Sequence, residues 1–76
     1  MRVTYDGTVN AAMIYLKDRI GPGEAARTYV CRPDQDGFGA DINLDFDKSG
    51  RLIGIEVLHA HERLPKETLE KAEIIG

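Results

Sequence analysis

Ile42-Asn43-Leu44-Asp45-Phe46-Asp47-Lys48-Ser49-Gly50-Arg51-Leu52-Ile53-Gly54-Ile55-Glu56-Val57-Leu58 is the stretch whose reading decides the fold. Ile42, Leu44 and Phe46 alternate with Asn43, Asp45 and Asp47. Successive side chains on a strand point to opposite faces, so three apolar groups share one face and three polar groups the other. Asp47-Lys48-Ser49-Gly50 follows as a turn, with a glycine able to take positive φ. Arg51 to Leu58 then runs out again, with Ile53, Ile55 and Val57 on one face. Two period-two segments joined by a short glycine turn predict a β-hairpin over residues 41–58. Gly54 in mid-strand predicts a close approach by another backbone or a side chain lying over it.

Working outward, Arg2 to Asp6 also alternates, with Val3 and Tyr5 on one face, and Asp6-Gly7 supplies a turn. Ala11 to Leu16 is apolar on both faces, which suits a central strand or one covered by a partner; a short helix is the competing reading. Ala26 to Arg32 is rich in β-formers and is stopped by Pro33. In the tail, Pro65 fits a first helical position, and Leu69 and Ala72 share a face at helical spacing. The expected architecture is a single α+β domain over residues 1–76, a small antiparallel β-sheet of about four or five strands with one C-terminal helix of two to three turns.

The 76 residues are 42% hydrophobic and 30% charged, a globular balance. A chain this short buries only about 60% of the surface it exposes when unfolded. Cys31 is the only cysteine, so neither a disulfide nor a cysteine-rich zinc site can add stability, and self-association remains as the way to enlarge the core. The longest apolar run, Ala11 to Leu16, is far short of a membrane span, and the opening Met-Arg-Val-Thr-Tyr-Asp is not expected to act as a signal peptide. The expected setting is the cytoplasm.

Charge is uneven. Asp34, Asp36, Asp41, Asp45 and Asp47 carry −5 across a segment with no Lys or Arg, leaving +2 for the rest of a chain whose net charge is −3. A dense acidic edge repels phosphate backbones, so direct nucleic-acid binding is not expected. Asp34, Asp36 and Asp41 are the residues expected to face a basic protein partner.

These residues together carry a resemblance. Tyr5-Asp6, Asn10 to Leu16, the hairpin from Ile42 to Leu58, Ala60 and Arg63-Leu64-Pro65 resemble the bacterial family of small uncharacterised proteins known as domain of unknown function 2283. The resemblance spans nearly the whole chain, and the hairpin is its most specific part. Met13 departs from the family pattern, which more often shows an aromatic residue there, and the stretch from Arg32 to Ala40 is longer than in compact members. The resemblance implies the same small α+β sheet, no activity to carry over, and an association of some members with neighbouring small toxin-like genes.

Candidate chemistry is sparse. Asp45, Asp47, Ser49, Gly50 and Glu56 match the spacing of an EF-hand calcium loop, but such a loop needs flanking helices and these flanks have the period of strands. On a hairpin, Glu56 lies too far down the opposite strand to reach an ion held by Asp45 and Asp47. His59 and His61 would share one side of an extended strand and could share a metal, yet no third histidine completes a site. Cys31 reads as an inert core thiol. No nucleophile, base and oxyanion donors assemble. No cofactor is expected. The preferred reading is a non-enzymatic interaction module, a homo-oligomer and specifically a dimer, assembling through Ala11 to Leu16 or an exposed sheet edge. An antitoxin-like mask for a small basic protein is its concrete version. The alternative is a small-ligand or metal-binding domain using His59, His61 or the Asp45–Asp47 face.

Overall fold

The computed structural model describes residues 1–32 and 42–76. The period-two segments become strands β1 (Arg2–Asp6), β2 (Ala11–Tyr15), β3 (Arg27–Cys31), β4 (Ile42–Phe46) and β5 (Leu52–Leu58). Two short helices follow, α1 (Ala60–Arg63) and α2 (Lys66–Glu70), and then a two-residue strand β6 (Glu73–Ile74). The strands form one sheet in the order β3-β4-β5-β2-β1-β6. All neighbours run antiparallel except β1 and β6, which are parallel.

The expected hairpin is present, with Leu44 opposite Ile55 and Ile42 opposite Val57. A register shift near its turn sets Asp45 opposite Gly54 but Phe46 opposite Leu52, the two-against-one count of a bulge. Gly50 takes φ 87°, as its place in the turn requires. At Gly54 a Cβ would lie 2.6 Å from Met13 Cε and 2.8 Å from Ile20 Cδ1, so the close approach comes from side chains on β2 and on the loop after it.

Three expectations need correction. The sheet has six strands rather than four or five, and it is mixed rather than antiparallel, because the tail adds β6 beside β1. The single C-terminal helix is two short ones. Pro65 sits just before α2 with ψ 143°, outside the helical region, and Leu64 before it is extended at ψ 148°, as a residue preceding proline tends to be. Finally, Ala11–Tyr15 is flanked by β1 and β5, so its backbone is paired on both sides and offers no free edge to another chain. Its two-sided apolarity is that of a central strand.

Cross-strand partners share a face, so the register sorts the side chains into rows. Tyr5, Ala12, Val57, Ile42 and Cys31 form one row across β1, β2, β5, β4 and β3. Val3, Ile14, Ile55, Leu44 and Tyr29 form the next row on the same face. The helices cover the first row: Ala12, Val57 and Ala60 are buried together, with Leu64 and Leu69 packed against them. The opposite face is more polar, with Thr28 donating to Asp45 at 2.6 Å and Asn43 donating to Glu56 at 2.9 Å. Arg2 lies 4.2 Å above the Tyr15 ring there. The resulting core is thin. Among the described residues only Ala12, Ile53, Val57 and Ala60 are buried apolar groups, and two of them are alanines.

Candidate functional site

The hairpin turn is closed by its own aspartate. Asp47 accepts from the Ser49 N–H at 3.0 Å, the Ser49 hydroxyl at 2.9 Å and the Arg51 N–H at 2.9 Å. The Arg51 N–H first, and then the Ser49 hydroxyl, hold its carboxyl below the usual aspartate range. Asp45 is engaged by Thr28 on the neighbouring strand, and Glu56 by Asn43. Glu56 stands opposite Met13 and Asn43, well away from the turn. The calcium-loop spacing is therefore spent on a hairpin.

A cavity of about 410 Å³ lies between this turn and the Pro22–Glu24 turn. Its acidic groups are already committed. Glu24 pairs with Lys17 and accepts the Gly21 N–H at 2.6 Å, and the Lys17 ammonium is the first cause of its lowered carboxyl pKa.

His59 and His61 do not share a strand. β5 ends at Leu58, His59 takes the left-handed conformation at φ 54°, and His61 lies within α1. The extended geometry that would aim both imidazoles at one ion is gone. Among the described residues no group of three His, Cys, Asp or Glu is placed to hold a metal ion. Asp34, Asp36 and Asp41 lie outside the described residues. Cys31 is a free, half-buried thiol at the end of an edge strand rather than a core residue.

Asn10 is a structural centre that sequence reasoning missed. It also takes a left-handed φ of 54°, a conformation Asn tolerates better than most residues. Its Oδ1 accepts from the Tyr5 hydroxyl and from the His61 N–H, each at 2.9 Å. Its Nδ2 donates to Glu62 at 2.8 Å, the first cause of the lowered Glu62 carboxyl, and its carbonyl accepts the Ala60 N–H at 3.0 Å. The β1–β2 turn thus fastens α1 over the core. The one signal available was an Asn directly before an apolar strand, a common turn residue.

What stands open is apolar. In the row Val3, Ile14, Ile55, Leu44 and Tyr29, the first four are half-buried and Tyr29 is 63% exposed. Leu16 is 41% exposed, and a cavity of about 390 Å³ is lined by Arg27, Thr28, Tyr29, Phe46 and Gly50. The β3 edge of the sheet borders this region. No helix of the described residues is long and apolar enough to cross a membrane.

A family model described as a protein of unknown function, DUF2283, matches residues 2–61. The matched span holds β1 to β5 and reaches into α1, leaving α2 and β6 beyond it. No curated protein and no solved structure matches the chain. With the match covering most of its length and all five long strands, the chain belongs to the DUF2283 family of proteins of unknown function.

Proposed function

We propose that this chain is a non-enzymatic protein-interaction module of the cytoplasm that assembles through its sheet. The observation that carries the reading is Tyr29, which ends the row Val3, Ile14, Ile55 and Leu44 on the edge strand β3 and stands 63% exposed. Burying one such side chain contributes roughly 1.5–3 kcal/mol. A fold whose buried apolar groups are few has much to gain from covering them. The acidic groups support no competing ligand reading, since Asp45, Asp47, Glu24 and Glu56 each serve a turn or a cross-strand hydrogen bond. The acidic segment from Asp34 to Asp47 supports a basic polypeptide as the heterologous partner, in an antitoxin-like role. Sedimentation equilibrium from 1 to 100 µM tests the self-assembly: the expected result is a reversible dimer. A monomer throughout that range refutes it.

A further inference from the structure

Resting on that reading, we propose that the assembling surface is the outer edge of β3 and that its partner is a second copy of this chain, joined by antiparallel β3–β3 pairing centred on Tyr29. β3 ends the strand order and pairs only with β4, so one side of its backbone meets no strand among the described residues. An edge strand with free N–H and C=O groups is a template for another strand. The sheet treats its two edges differently. One is closed by β6, only two residues long, which is a common way of blunting an edge. The other is the five-residue Arg-Thr-Tyr-Val-Cys, with no proline, lysine or acid and with high β propensity.

Exposure agrees with that contrast. Tyr29 and Val30 are adjacent, so they point to opposite faces of the sheet, and they are 63% and 47% exposed. A strand laid beside β3 would cover part of both, whereas a partner lying on one face would cover only one.

A two-fold axis perpendicular to the sheet through Tyr29 pairs all five residues of the strand with their counterparts. Tyr29 then faces Tyr29 of the second copy, Thr28 faces Val30, and Arg27 faces Cys31. Aromatic cross-strand pairs are favourable, and the two Arg27 cations stand four residues apart along the ladder, about 13 Å. Because this axis keeps each face on its own side, the two six-stranded sheets become one of twelve strands with both helical layers on the same side.

The register makes Cys31 a built-in reporter. In the full-length Arg27→Cys variant the new thiol faces Cys31 of the second copy. Within one chain the two positions are about 13 Å apart, beyond the roughly 7 Å limit for a disulfide, so any cross-link joins two copies. Mild oxidation is expected to give a reducible species of twice the chain mass in Arg27→Cys and little of it in Thr28→Cys, whose thiol lies on the other face. Equal cross-linking in both variants is collision and overturns the register. A reversible dimer that cross-links in neither places the interface elsewhere, which overturns this inference and leaves self-assembly standing. A monomer by sedimentation overturns both. Tyr29→Lys, at a position 63% exposed in the single chain, is expected to weaken self-association roughly tenfold or more while leaving the far-UV circular dichroism unchanged; unchanged association would also overturn the inference.

Discussion

Replacing Asn10 by Gly and by Ala separates two things the residue does. Its side chain ties Tyr5 and the His61 N–H together, and its backbone takes a left-handed φ of 54°. The Tyr5 and His61 bonds contribute about 1 kcal/mol each net and the solvent-exposed bond to Glu62 little, so losing all three costs about 2 kcal/mol in Asn10→Gly. Asn10→Ala loses the same bonds and places a methyl group in the left-handed region, adding about 1 kcal/mol. For a 76-residue chain the unfolding entropy near the midpoint corresponds to about 6 °C per kcal/mol. The expected Tm losses are therefore about 12 °C for Asn10→Gly and about 18 °C for Asn10→Ala. Gly above Ala is the reverse of their usual order within regular structure, which makes it diagnostic. Thermal denaturation at one fixed protein concentration reads both, since association would shift Tm with concentration. A second readout is the Glu62 carboxyl, which should titrate closer to its ordinary range once the Asn10 amide is removed, by side-chain NMR. Tyr5→Phe should cost about 1 kcal/mol in the native background and almost nothing in Asn10→Gly, because the acceptor is already gone. Equal stability of the Gly and Ala variants would refute the strained turn, and two variants as stable as the native chain would refute the fastening of α1.

Two further outcomes follow from the core and the carboxylates. Val57 is 3% exposed between Ala12 and Ala60, so Val57→Ala removes two methyl groups from the centre of a thin core. A loss of about 2–3 kcal/mol in urea unfolding is expected from transfer and cavity together, and a loss under 1 kcal/mol would mean the site collapses freely. Asp6, held low chiefly by the Thr8 hydroxyl, and Asp47, Glu24 and Glu62 all have carboxyl pKa values below their ordinary ranges. A depressed folded-state value contributes stability that is complete above the unfolded value near 4 and is lost as pH falls through the folded one. Tm should be level from pH 7 to about pH 5 and drop below about pH 4, less steeply in Asp47→Asn; a Tm unchanged down to pH 3 would refute this.

Residue order alone determined the five long strands. The hairpin and β1 are legible because one face of each is apolar and the pleat has a period of two, a local rule that needs no knowledge of neighbours. Ala11 to Leu16, apolar on both faces, left a central strand, a partner-covered strand and a short helix open, and pairing with β1 and β5 selects the central strand. Gly54 announced a close approach, and Ile20 and Met13 supply it. The calcium-loop spacing reads as a hairpin for the same reason, since flanks of strand period set Glu56 opposite Asn43, down the strand from the turn.

Only the tertiary structure decided the rest, because it depends on contacts between distant residues. The tail from Pro65, with Leu69 and Ala72 on one face, reads as one helix, yet α1 starts where Asn10, some fifty positions earlier, accepts the His61 N–H, and the chain is extended at Leu64 before Pro65. Glu73 and Ile74 carry no strand period of their own and become β6 by pairing with Thr4 and Tyr5. The order of strands is likewise a matter of partners: β2 lies between β1 and β5, which leaves the β3 edge and the row ending at Tyr29 open. Local periodicity says which face of a strand is apolar; long-range pairing says which strands stand at the edges of the sheet.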